Sequence, residues 1–321
     1  MGLFIYKTIY LNSFIKLISN LLFALIFIIK YPLYMSNNDF LTIYKNLYPL
    51  LKRHLDMVTT RHWDKKISDS KNIINKSGMK FYSQNDEDGI LMEILNRINI
   101  KQGNFFEIGV CGGHKNNGTE CNTIILLMLG WSGIWIDGVN IDLNLPKESK
   151  LNFFKQFLNK DNCIKTFNDA LEKSKINKSE INVVSVDIDG NDFYITESIL
   201  KEGFQPDCFI VEYNGKFPPP IIYNMPYDEN YVWKGGDEQG CSLQFYVNFF
   251  DKFGYNLVCC NITGTNAFFV HNKHKDKFKD VPKDIKDIFY PPDYNWFTQI
   301  GHSTSAKTIE HFAKIADKPK K

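Results

Sequence analysis

Between residues 104 and 270 the sequence is punctuated by short apolar runs: Asn104 to Val110, Gly133 to Asp137, Asn182 to Val186 and Cys208 to Val211. Each ends at or beside an acid or a glycine, and runs of this length between turn residues read as strands buried on both faces. Helical patterns separate them. Ile90, Leu91, Ile94, Leu95 and Ile98 share one side of a helix from Asp86 to about Ile98, with Asn85 as its cap. Further helices are expected over Asn122 to Leu129, Lys147 to Leu158, Phe193 to Lys201, and Leu243 to Phe253, the last capped by Ser242 and stopped by Gly254. A further short strand is expected at Cys163 to Phe167. Alternation of this kind demands a parallel sheet with helices on both faces. Asn256 to Cys260 and Ala267 to Val270 have no helix between them, so they should close the sheet as an antiparallel hairpin. The expected fold is therefore α/β: five parallel strands plus an antiparallel edge hairpin.

The chain has 321 residues, 44% hydrophobic and 23% charged, which excludes a disordered, collagen-like or polytopic membrane chain. Its net charge of +2 shows no overall bias toward nucleic acid, and the lysines of residues 273 to 286 alternate with Asp as on a solvated surface. The charge is unevenly placed. Residues 1 to 55 contain Lys7, Lys16, Lys30, Lys45, Lys52 and Arg53 against Asp39 alone, so a +5 leader precedes a −3 body. The uncharged run from residue 17 to 29 would extend about 20 Å as a helix, short of a ~30 Å hydrocarbon core. Three readings stay open for residues 1–35: a membrane-surface anchor, a helix packed on the body or a partner, and a leader upstream of a start at Met35. Residues 36–79 read as an amphipathic helix from Asp39 to about Met57 and a polar linker, 80–272 as the main domain, and 273–321 as an extension with a short helix and a basic tail. Seven cysteines without metal-site spacing suggest reduced, buried thiols in a cytoplasmic body.

Three strand ends carry the chemistry. Phe105-Phe106-Glu107-Ile108-Gly109-Val110-Cys111-Gly112-Gly113 takes a strand into a glycine turn, where backbone can approach a ligand closely. A dinucleotide fingerprint would need glycine at 109, 111 and 114, and these positions hold Gly109, Cys111 and His114. Asp137 ends the next strand, placed to accept hydrogen bonds from ribose hydroxyls. Asp169, after the expected third strand, would reach an adenine amino group. Past the fourth strand, Asp187, Asp189 and Asp192 can share a divalent cation, and one of them can act as a general base. The fifth strand delivers Glu212 and Asn214 to the same edge.

These residues resemble the FkbM-like, Rossmann-type methyltransferases. The resemblance rests on Tyr82 to Gly89, Phe106-Glu107-Ile108-Gly109-Val110, Glu120-Cys121-Asn122-Thr123, Gly130 to Gly138, Asp187-Ile188-Asp189-Gly190-Asn191-Asp192, Glu212-Tyr213-Asn214, Gly240-Cys241-Ser242-Leu243 and Asn266 to Val270, in order. It implies a Rossmann-like methyltransferase domain that binds S-adenosylmethionine and O-methylates a hydroxyl of a sugar, glycan or secondary metabolite. Glu107, Gly109, Gly112, Asn122, Asp137 and Asp169 would then contact the cofactor, with Glu107 facing its methionine portion. Asp187 or Asp189, with Mg2+, would position the acceptor oxygen, Glu212 and Asn214 would orient the acceptor, and the aromatic stretch from Phe217 to Trp233 would wall it in. Two alternatives stay open: a glycosyltransferase using Asp187-Ile188-Asp189 as a DxD motif, and a membrane-tethered, non-catalytic binding protein.

Overall fold

The computed structural model describes Lys45, Pro49 and residues 60–111, 118–147, 149–234, 236, 239–293, 310 and 313. The chain divides into Met1–Val58 and Thr59–Lys321. The expected anchor at 1–35 lies outside the described residues, as do the expected helix from Asp39 to Met57, apart from Lys45 and Pro49, and nearly all of the expected C-terminal helix and tail. Among the described residues, no helix is long and apolar enough to cross a membrane.

The second unit is a seven-stranded α/β sheet. In chain order its elements are α1 (Glu87–Arg97), β1 (Asn104–Ile108), α2 (Ile124–Met128), β2 (Ser132–Asp137), β3 (Leu151–Lys155), α3 (Cys163–Ser174), β4 (Ile181–Val186), α4 (Asp192–Lys201), β5 (Cys208–Glu212), α5 (Leu243–Asp251), β6 (Tyr255–Cys260) and β7 (Asn266–His271). The strand order is β3-β2-β1-β4-β5-β7-β6. The first five strands pair in parallel, and β7 runs antiparallel to both β5 and β6, as the closing pair of apolar runs required. β5 is buried at every position, consistent with an apolar run covered by helices on both faces.

The third strand is not where local pattern put it. β3 occupies Leu151–Lys155, inside the expected helix, and the expected strand at Cys163 to Phe167 is the start of α3. The buried residues of α3 are Cys163, Phe167, Ala170 and Leu171, a helical spacing that a five-residue reading window could not show. Phe167 packs edge-on against Phe106 and Phe204 at 5.5 and 6.1 Å between centroids, pinning α3 to the sheet. β3 is an edge strand with Leu151 buried and its remaining residues half-buried or exposed, and its Leu-Asn-Phe-Phe-Lys sequence does not alternate regularly. Asp169 consequently lies on α3, where Lys165 pairs with it at 2.5 Å.

The expected polar linker is also structured. Residues 60–69 are helical, and Ile73–Ser77 form a 3-10 turn. Asn72 Nδ2 donates to the Val258 carbonyl and Asn75 Nδ2 to the Cys260 carbonyl, each at 2.8 Å. Both asparagines are buried; they cover the open edge of β6. Their burial serves hydrogen bonding, so hydrophobic periodicity could not reveal it. Downstream, Phe278, Val281 and Ile288 return to the core, so the folded unit continues beyond residue 272. Asp86, not Asn85, occupies the N-cap position of α1, without a side-chain capping bond, while the Asn85 backbone N–H donates to Glu87 Oε2 at 2.7 Å.

Phe167→Ala is expected to cost about 3–5 kcal/mol in urea unfolding, as for a buried aromatic truncation. Asp169→Ala, which removes a surface pair, should stay within about 0.5 kcal/mol. Equal losses would contradict the placement of α3.

Candidate active site

The carboxyl ends of β1, β2, β4 and β5 open onto a cavity of about 990 Å³. Its centre lies between β1 and β4, where the chain, having built outward through β2 and β3, returns to the other side of β1. Such a reversal leaves a crevice at the strand ends in open α/β sheets.

Gly109 makes the crevice. Its φ is +85°, and a Cβ there would lie 1.5 Å from the Asp187 carbonyl oxygen, so no other residue fits. The Gly109 amide donates to the Ile136 carbonyl and the Asp187 amide to the Ile108 carbonyl, each at 3.0 Å, which extends the ladders into the turns. Gly112 and His114 lie outside the described residues.

The strand-end acids divide into two groups. Those in the first hold backbone. Glu107 is buried and accepts from the Asn122 amide at 2.7 Å, the Thr123 amide at 3.0 Å, and the Thr123 hydroxyl. Asn122 lines the cavity while its side chain donates to Ser185 Oγ at 3.1 Å. Asp137 Oδ2 accepts from the Val110 and Cys111 amides, each at 2.8 Å, and Oδ1 from Val139 at 2.9 Å. Three backbone donors hold this carboxylate, which ties the β1 turn to the β2 turn, and Asp137 lines the cavity. Asp192 accepts from the Ile188 and Gly190 amides at 2.7 Å each, folding the turn before α4. Both of its oxygens are thus engaged by backbone, and it lies outside the close cluster of carboxylates described next.

The second group faces the cavity. Carboxylate oxygens of Asp187, Asp189 and Glu212 lie within 4.8 Å of one another, with Glu212 in the place expected for Asp192. Hard oxygen donors at such spacing suit Mg2+ or Ca2+. Asp189 adopts φ +57°, a conformation that Asp tolerates better than most residues, and this φ sets its direction off the turn. Burial pushes Asp187 and Glu212 well above the usual carboxylate range, and neighbouring carboxylates add to it, Asp189 foremost for Asp187 and Asp187 foremost for Glu212. Clustered carboxyls of this kind must share protons or a cation.

Two expected contacts lie elsewhere. Asn214 is buried with its Nδ2 donating to the Gln239 carbonyl at 3.1 Å and its Oδ1 accepting from the Lys216 amide at 3.1 Å, so it anchors the loop and does not line the cavity. Asp169, on the outer surface of α3, does not line it either. Of the aromatic stretch, Tyr231, Val232 and Trp233 do form cavity wall. Gly190 permits this, since a Cβ there would meet the Tyr231 ring at 2.3 Å. Sequence reasoning missed Phe157, Lys80, Gln84, Thr265 and Asn266, which also line the cavity. Phe157 was hidden by the misplaced third strand; the others come from segments distant in sequence. All seven cysteines are free; Cys111 alone is half-buried, and burial with the Asp137 charge pushes its thiol up to about 12, against a nucleophilic role.

Behind the cavity, the acids that begin α1 form a buried platform. Glu87 accepts from Asn261 Nδ2 at 2.6 Å and Asn266 Nδ2 at 3.0 Å, and Asp88 Oδ2 accepts from the amides of Phe81, Tyr82 and Ser83 at 2.6–2.9 Å. The platform joins α1 to the β6–β7 turn.

No protein-family model matches the chain, and no curated protein matches it. Among solved structures, it is similar to the MycE methyltransferase from the mycinamycin biosynthetic pathway, in complex with Mg and SAH, at 10% identity and a TM-score of 0.37, covering 57% of this chain and 48% of that one. A second MycE structure, with Mg, SAH and mycinamycin VI, matches at 12% identity and a TM-score of 0.35, covering 60% and 51%. The chain thus spans about half the length of the solved structures it matches.

Burial holds Glu107 at about 7 and Asp88 and Asp192 at about 6, against values near 4 in an unfolded chain. Between about pH 4 and 7 the native state therefore binds more protons than the unfolded chain, and stability falls as pH rises. Asp207 and Asp293, lowered by their cationic partners, act in the opposite sense only below that window. The melting temperature should decline from pH 5 to pH 8, as read by scanning calorimetry. Mg2+ should raise it more at pH 8 than at pH 5, because the cation competes with protons for the trio, and Asp187→Asn should remove that increment.

Proposed function

We propose that the chain is an S-adenosylmethionine-dependent methyltransferase that O-methylates a hydroxyl of a sugar, glycan or secondary metabolite. One observation carries the reading: the Gly109 turn, with no room for a side chain, opens into a cavity at the β1/β4 reversal whose walls are acidic strand tips. The cavity lining includes Glu107, Glu120, Asp137, Asp187, Asp189 and Glu212. Such a surface favours a sulfonium- and ammonium-bearing cofactor over a polyanion. A nucleotide-sugar diphosphate, the ligand of the glycosyltransferase alternative, would meet these carboxylates at close range.

The cofactor supplies a methyl group already activated on sulfur. What the chain must add is alignment of an acceptor oxygen and removal of one proton. Asp187 and Asp189 are the groups for this role: they face the cavity, and a carboxyl raised by burial accepts a proton more readily near neutrality. Asp187, Asp189 and Glu212 would hold Mg2+, whose charge would acidify a bound hydroxyl. Tyr231 and Trp233 offer apolar faces to a sugar ring, while Val232 and Trp233, 62% and 45% exposed, leave that wall open to an acceptor from solution. Residues 1–35, basic and apolar, would bring the domain to an anionic membrane surface.

Calorimetry with S-adenosylmethionine, S-adenosylhomocysteine and UDP-sugars tests the reading. Binding of the first two is expected; binding of UDP-sugars alone would replace it with the glycosyltransferase, and binding of none with the tethered binding protein. Asp187→Asn should abolish turnover on hydroxylated acceptors while leaving S-adenosylhomocysteine affinity within about threefold.

A further inference from the structure

Three buried amide oxygens on cavity-lining residues have no hydrogen-bond partner among the described residues: Asn191 Oδ1, Gln239 Oε1 and Asn266 Oδ1. Two of them belong to residues beside Glu212. Gln239 Nε2 donates to Glu212 Oε1 at 3.2 Å, and the Gln239 carbonyl is held in turn by Asn214 Nδ2 at 3.1 Å. Asn266 stands opposite Glu212 in the β5–β7 register, which puts both side chains on one face of the sheet. It is 2% exposed, its Nδ2 donates to Glu87 Oε1 at 3.0 Å, and its backbone N–H and carbonyl are both bonded to Asn261. In Gln239 and Asn266 alike the amide nitrogen is turned to a carboxylate, which leaves the oxygen as the open acceptor. A buried acceptor without a donor is costly to a fold, so the missing partner is an O–H or N–H from outside the chain. An ammonium or a metal cation would go first to the carboxylates of Asp187, Asp189 and Glu212. The donor left for a neutral amide oxygen is a neutral hydroxyl.

We propose that Gln239 and Asn266 select the acceptor by its further hydroxyls: while one hydroxyl lies at Asp187, Asp189 and Glu212, its neighbours on the same ring donate to the Gln239 and Asn266 oxygens. The inference rests on the methyltransferase reading and narrows it to polyols, a sugar ring with free hydroxyls next to the one methylated. An isolated alcohol or a phenol would leave both oxygens unpaired and be rejected. Gln239 and Asn266 are binding residues in this arrangement and move no proton.

The test uses the full chain with Mg2+ and radiolabelled S-adenosylmethionine. Its acceptors are methyl hexopyranosides, their monodeoxy analogues, cyclohexanol and phenol. Transfer to a pyranoside is expected, with kcat/KM falling at least about tenfold when the hydroxyl next to the methylated one is replaced by hydrogen. Gln239→Met and Asn266→Leu, close in shape and without the oxygen, should each shrink that preference about tenfold. Gln239 is half-buried, so its variant reads the preference even where Asn266→Leu fails to fold. Damage to the fold or to the seat of Glu212 would slow both acceptors equally and leave the preference intact, and that result overturns the role of the two residues. Transfer to cyclohexanol or phenol as fast as to any pyranoside, or to no acceptor while S-adenosylhomocysteine binds by calorimetry, also overturns it and leaves the methyltransferase reading standing. If the unmodified chain binds no S-adenosylhomocysteine, both fall together.

Discussion

The crevice exists because the turn after β1 lies against the turn after β4 at a distance that leaves no space for a Cβ. At Gly109 this contact is with the Asp187 carbonyl, and it brings the strand-end residues of β1 and β4 to one surface. The Asp137 carboxylate then holds the β1 turn to β2 through two backbone amides. Three strand ends are thereby locked by main-chain geometry before any ligand enters. A site built in this way is preorganised, because little of it depends on flexible side chains.

The same locking explains how one sheet edge tolerates so many acids. Glu107, Asp137 and Asp192 satisfy backbone amides, the most economical way to keep a carboxylate out of bulk water. Asp187, Asp189 and Glu212 have a different environment, clustered with their carboxylates within 4.8 Å of one another in the cavity lining. Identical side-chain chemistry thus serves two purposes, and the partner decides which. Where backbone donors converge, the acid is part of the fold; where other carboxylates converge, it awaits a cation, a proton or a substrate hydroxyl.

Much of this was legible locally. The largely apolar β4 and β5, the glycine turn after β1 and the helix-free gap between β6 and β7 each carry a signal within a few residues. β3 and α3 do not. An edge strand such as Leu151–Lys155 is stabilised by pairing with β2 and shows no alternation, while the first turn of α3 is as apolar as a strand until Ala170 and Leu171 reveal the spacing. Residues 60–77 read as a linker because their anchors are asparagines bonded to β6 carbonyls, and a polar residue in a sequence does not declare whether its partner is water or protein.

The sequence by itself determined the class of sheet, the antiparallel closing pair and the set of acids at the strand ends, because periodicity and turn chemistry act over distances shorter than one element. Only the tertiary structure decided which acids hold the backbone and which cluster with other carboxylates, that Glu212 rather than Asp192 lies with Asp187 and Asp189, and that Lys80 shares their cavity. Those outcomes depend on which donors arrive from other strands and from segments distant in the chain. A carboxylate's role is set by the groups packed around it, and packing is not written at the position of the residue itself.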